Sequence, residues 1–122
     1  MTQSFVMQGY TPPSINLMKK WRDWYDLKET GIEFLIICSR LAKIKPVDRC
    51  TVKIICYLDN VRSDESNIKA GAEKVLLDGL VREKIIKDDR KKWLEHSEVV
   101  IEYVKTEPYT EIIITELKEQ GK

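Results

Sequence analysis

Apolar and polar positions along this chain change period several times, and each change marks an element. Residues 4–10, Ser-Phe-Val-Met-Gln-Gly-Tyr, suit a short strand. Pro12 and Pro13 stop it, because neither can donate to a strand ladder. From Asn16 to Ala42 the pattern turns helical, with Trp21, Tyr25, Ile32, Leu35, Ile36 and Leu41 apolar and Gly31 a candidate break. Lys43 to Asp48 is a connector in which Pro46 bars further helix. Cys50 to Leu58 then alternates, with Val52, Ile54, Cys56 and Leu58 set against Thr51, Lys53, Ile55 and Tyr57. That predicts a strand, and Ile55 in the second set implies that both faces are partly covered. Residues Asn67 to Val81 put Ile68, Ala72, Val75, Leu76, Gly79 and Leu80 on one face of an amphipathic helix. Ser63, Asp64 and Ser66 before or at its start are all good N-caps. Glu98 to Lys105 and Glu111 to Leu117 form the last two strands, and the Glu107-Pro108-Tyr109 turn predicts a hairpin. Lys118 to Lys122 is a polar tail.

The order strand-helix-strand-helix-strand-strand predicts an α/β fold: a single domain, 1–122, with a mixed β-sheet packed against two main helices. At 122 residues one domain is the expected count, and 43% hydrophobic with 34% charged residues reads as soluble and folded. The formal net charge is only +1, so any contact with nucleic acid must come from a local basic surface. No run has the length of a membrane span, and the expected partners exclude a membrane. Cys38, Cys50 and Cys56 have no metal-ligand spacing, and Cys38 and Cys56 sit in apolar runs as buried thiols. This odd count, with no signal peptide in the sequence, leads to the expectation of a reducing cytoplasm. Lys19, Lys20 and Arg22 beside Trp21 and Trp24 fit either a phosphate-and-base contact or a solvated face over core tryptophans. His96, the single histidine, has no partner motif and reads as structural.

The candidate chemistry lies between Asp59 and Asp89. Asn67, Gly71, Lys74 and Asp78 fall in one line along the second helix. An amide, a lysine and a carboxylate thus share one edge, with Asp64-Glu65 before it and Asp88-Asp89 after it. Carboxylates hold hard divalent cations through oxygen, and a lysine beside them can bind phosphate. The same residues also fit a plain solvated helix: Asp64 as a cap, Lys74 and Asp78 as an i, i+4 ion pair, Asp88-Asp89 as a surface turn. From Arg82 to Lys92 basic residues outnumber acidic ones, which makes a local positive patch around the doubled aspartate.

This stretch resembles the RusA-like Holliday junction resolvases, particularly their phage-type members. Asp64-Glu65-Ser66-Asn67 matches the family's acidic lead-in, Lys74 and Asp78-Gly79-Leu80 its helix, and Ile85-Ile86-Lys87-Asp88-Asp89 its apolar turn into Asp-Asp. Pro12-Pro13-Ser14-Ile15-Asn16 matches its early Pro-Pro-Ser-x-Asn segment. Ser66 departs from the pattern, which has an aspartate there. The resemblance implies a Mg²⁺-dependent crossover junction endodeoxyribonuclease, with Mn²⁺ as an alternative ion, acting as a homodimer on four-way DNA junctions in recombination and repair. It also implies a phage or prophage protein working in a bacterial cytoplasm. Its catalytic residues would be Asp64, Lys74 and Asp89, its metal ligands Asp64, Asp89 and Asp88, with Asn67 and Asp78 orienting the site. Arg62, Lys69, Arg90, Lys91 and Lys92 would contact DNA. The alternative expectation is a branched-DNA binding protein of the same fold whose cleavage is weakened by Ser66.

Overall fold

Two helices cover one face of a four-stranded sheet. The computed structural model describes residues 1–15, 21–61 and 64–117, and the description below concerns those. Its elements are β1 (Thr2–Gln8), α1 (Trp21–Leu41), β2 (Cys50–Leu58), α2 (Glu65–Arg82), β3 (Leu94–Tyr103) and β4 (Tyr109–Glu116). The strand order across the sheet is β1-β4-β2-β3. β4 runs antiparallel to both β1 and β2, while β2 and β3 are parallel, from Cys50 opposite Leu94 to Leu58 opposite Tyr103. Parallel neighbours need a long crossover, and α2 supplies it. The α/β class, the mixed sheet and the element order match the sequence reading.

The expected hairpin between the last two strands does not form. β3 pairs with β2, and β4 lies on the other side of β2, between it and β1. After β3 the Val104 amide donates to the Leu58 carbonyl, and the connection passes the end of β2 to reach β4. Burial explains the placement. β4 buries Thr110, Ile112 and Ile114 on one face and half-buries Ile113 on the other, as an interior strand does. β3 exposes His96 and the charged Glu95, Glu98 and Glu102, side chains that suit a sheet edge.

The covered face of the sheet presents Phe5, Met7, Val52, Ile54, Cys56, Ile112 and Ile114 to the helices. Ile32 and Leu35 of α1 and Val75, Leu76 and Leu80 of α2 meet them in one core. Each such side chain contributes about 1.5–3 kcal/mol by leaving water. All six residues expected on the apolar face of α2 are buried. α1 runs unbroken through Gly31, contrary to the expected break, and the part of the expected helix from Asn16 to Lys20 lies outside the described residues. Gly31 serves packing instead: a Cβ there would collide with the Tyr10 hydroxyl.

Both helices end in the same way. After α1, the Lys43 amide donates to Arg40 O and the Ile44 amide to Ser39 O. After α2, the Lys84 amide donates to Val81 O and the Ile85 amide to Leu80 O. These paired bonds are the Schellman arrangement, whose left-handed position glycine usually fills. Here lysines fill it, Lys43 at φ 57° and Lys84 at φ 63°.

Candidate functional site

The first 15 residues prepare the surface on which the site stands. Leaving β1, the chain turns at Gly9 (φ 79°), and Pro12 and Pro13 carry it across the N-terminal half of α2. It comes so close at Gly71 that any Cβ there would overlap the Pro13 carbonyl and crowd the Ile15 amide. Gly71 belongs to the line Asn67, Gly71, Lys74, Asp78, so the Pro-Pro-Ser segment lies over that line and leaves Lys74 and Asp78 uncovered beyond it.

Lys74 and Asp78 open onto a cavity of about 310 Å³. α2 also contributes Glu73 and Leu77 to it, α1 contributes Trp24 and Lys28, and the loop after α2 contributes Asp89. Trp24 is buried and forms a wall of it. Asp78 is paired with Lys28 at 2.7 Å, so the expected Lys74–Asp78 pair is replaced by a pair between helices. Lys74 is exposed and has no carboxylate partner among the described residues. The Ser97 hydroxyl of β3 donates to Glu73 at 3.5 Å. Beside the cavity, Arg82 holds Glu29 through two hydrogen bonds of 2.6 and 3.3 Å, which joins α2 to α1.

Asp88 and Asp89 titrate apart. The Asp89 amide donates to Asp88 Oδ1 at 2.7 Å and Arg90 Nε to Asp88 Oδ2 at 2.7 Å. Hydrogen bonding from Asp89, chiefly its backbone, and from Arg90 holds the Asp88 carboxyl below its ordinary range. Asp89 is pushed above its own, first by its hydrogen bond with Asp88, then by desolvation, and further by the negative charges of Asp88 and Asp78. A carboxylate facing others in this way favours a proton or a cation close by.

Other expected site residues are placed elsewhere. Asp64 stands at the N-terminal end of α2, where its carboxylate makes no capping hydrogen bond. Because β2 and β3 are parallel, Asp64 follows the far end of β2 while Asp89 precedes the near end of β3. At about 1.5 Å per residue, α2 sets Asp64 and Asp78 about 20 Å apart. Asp89 shares the cavity with Asp78, so the expectation that Asp64 and Asp89 of one chain share an ion is not met. Ser66 is exposed in the first turn of α2, and Asn67 is half-buried beside it. Lys69, Arg90, Lys91 and Lys92 are exposed, while Arg62 lies outside the described residues. Lys87 and Lys92 sit over the Trp93 ring, 4.5 and 5.0 Å from its centroid.

The oxygen donors suit a hard cation in kind, but among the described residues no group of three or more His, Cys, Asp or Glu is set to hold one. The cysteines are free thiols, and burial raises Cys50 to about 11 and Cys56 to about 12, which leaves them protonated. Sequence reading missed Lys28 and Glu73 as neighbours of the site and gave Trp24 no place in it. Only the packing of α1 on α2 brings them there, and no motif marks it. No helix among the described residues is long and apolar enough to cross a membrane. No protein-family model matches this chain, and no curated protein matches it.

Proposed function

We propose that this chain is a RusA-like, Mg²⁺-dependent endonuclease that acts on four-way DNA junctions as a homodimer, in a phage or prophage setting within a bacterial cytoplasm. The observation that carries this reading is the convergence of Lys74, Asp78 and Asp89, three residues that the resemblance selects, on one cavity. Lys74 lacks a carboxylate partner among the described residues, so its ammonium is available to a phosphate. Lys28 holds Asp78 in place from the facing helix. Asp89, with Asp88 beside it, would hold the ion, and waters would complete its shell. Mg²⁺ would neutralise charge on the phosphate and supply an activated water. Asp64 would reach this carboxylate pair only from a second chain, so the two-fold dimer would have to bring it there, and it would present two sites to two strands. The exposed Arg90, Lys91, Lys92 and Lys69, with Arg62, would hold the flanking phosphates.

The separation of Asp64 from Asp89, together with Ser66, favours a second reading: a branched-DNA binding protein that cuts weakly or not at all. One assay separates the two. Binding and cutting of a synthetic four-way junction, against linear duplex, would be measured with and without Mg²⁺. The nuclease reading expects Mg²⁺-dependent cutting of the junction alone. Junction binding without cutting would leave the second reading, and no preference for the junction would remove both. Lys74→Ala is expected to lower the cutting rate by about a hundredfold and binding much less, since a charge acting on the transition state lowers rate more than affinity. Equal losses would take Lys74 out of that role. Ser66→Asp is expected to lower the Mg²⁺ concentration needed for cutting. An unchanged Mg²⁺ titration would show that position 66 does not face the ion.

A further inference from the structure

A second and larger cavity, about 550 Å³, lies between the connector after α1, the end of α2 with the loop that follows it, and the end of β4. Val47 and Ile86, both buried, and half-buried Val81 make its floor. The connector after α1 and the loop after α2 are tied together there, with the Val47 amide donating to Ile85 O at 2.9 Å. The rim carries Asp48, Glu116, Lys84 and Lys87. Three of these four are satisfied within the protein. Lys87 pairs with Asp48 at 2.9 Å, and Glu116 accepts the Asp48 amide at 3.2 Å. Lys84 has no carboxylate partner among the described residues. It also occupies a left-handed backbone position that glycine would fill with less strain.

We propose that this cavity binds a small amphipathic anion, its apolar body on Val47, Val81 and Ile86 and its single carboxylate, sulfonate or phosphate group at Lys84 Nζ. The volume falls within the range of small-ligand sites, and an apolar floor with few polar groups on the rim is their usual chemistry. Lys84 selects an anion: it is the one charged group of the rim without a partner among the described residues, whereas Asp48, Lys87 and Glu116 each have one. The site is distinct from the cavity of Lys74 and Asp89 and does not depend on the function proposed for it.

The test uses 8-anilinonaphthalene-1-sulfonate, an aromatic sulfonate of suitable shape. Its fluorescence titration would be compared for the wild type, Lys84→Gly and Val81→Glu, with amide NMR shifts locating the probe. The expected result is saturable binding that shifts Val47, Ile86 and Glu116. Lys84→Gly is expected to weaken it about tenfold by removing a charged hydrogen-bond donor. Val81→Glu is expected to abolish it by placing a carboxylate on the floor. Lys84→Gly removes a strained backbone, so its melting temperature is expected to match or exceed the wild type's, which keeps lost binding separate from lost fold. Equal affinity in all three proteins, or shifts at Trp24 and Asp78 instead, would overturn the proposal. So would displacement of the probe by inorganic phosphate or duplex DNA at concentrations where a simple aliphatic carboxylate has no effect, since the surface would then read charge alone.

Discussion

The two ends of α2 meet the rest of the chain by opposite means. At Gly71 the fit is backbone against backbone: the Pro13 carbonyl occupies the space a side chain would need. At Lys84 the fit is loose, with a lysine in a left-handed position beside an open cavity. The tight end holds the Pro-Pro-Ser segment on the helix and fixes where the line of Asn67, Lys74 and Asp78 emerges. The loose end bears no such constraint, and a lysine stands where glycine is the usual residue. Residues near a candidate site are therefore not equally constrained: those that set backbone approach admit one residue type, while those at the rim admit several.

Substitutions that separate backbone contact from side-chain contact test this contrast most strongly. Gly71→Ala is expected to destabilise the protein by about 3 kcal/mol, the upper part of the usual overpacking range, because a carbonyl held by two prolines cannot yield cheaply. In the same helix a Cβ at Gly79 would meet only the end of the Leu35 side chain, at 3.2 Å. Gly79→Ala is expected to change stability by less than about 1 kcal/mol, since Leu35 can shift and alanine favours helix. Urea denaturation of both variants is the measurement. Similar values for the two would remove the distinction drawn between the two contacts.

The left-handed lysines that follow the two helices call for the opposite sign. Lys43→Gly, at the end of α1, is expected to stabilise by about 1 kcal/mol through relief of its left-handed strain. The opposing terms are the freer unfolded chain of glycine and the lost attraction of a cation for the helix end. A destabilised Lys43→Gly protein would mean that those terms outweigh the strain and that these lysines are retained for stability.

The smallest effect concerns the doubled aspartate. Asp89 has a raised pKa in the folded chain, so its ionised form is disfavoured there relative to the unfolded chain. Its proton should leave at a higher pH than that of an ordinary aspartate, and any cation it binds should be lost as pH falls through that raised value. Asp88 has the opposite sign: its contribution to stability is present above the ordinary aspartate range and lost as pH falls through its lowered value. Asp88→Asn is expected to lower the Asp89 pKa, measured by carbon-detected NMR titration of the side-chain carboxyls. An unmoved Asp89 would assign its shift to desolvation and Asp78 instead of Asp88.

Much of this was legible before any coordinates. Alternation over Cys50 to Leu58 and helical spacing over Asn67 to Val81 fixed two elements, because each period puts apolar side chains on one side of a regular backbone. The extra isoleucine in β4, Ile113, carried the signal of an interior strand, but the nearby Glu107-Pro108-Tyr109 turn suggested a local hairpin. Turn residues report where a chain bends, not which neighbour the next strand finds, and burial of one β4 face with half-burial of the other decided that. Likewise the line of Lys74 and Asp78 followed from helix geometry alone, whereas their company did not. Lys28 reached Asp78 because α1 packs on α2, and Asp89 reached the cavity because the loop after α2 returns past it. Asp64 was kept away by the direction of β2 and β3, since parallel strands put the end of one a full strand length away from the start of the other. The sequence by itself determined periods, caps and charges, which are local. Only the tertiary structure decided which charges meet, because that depends on strand direction and helix packing, set by the burial of the whole core.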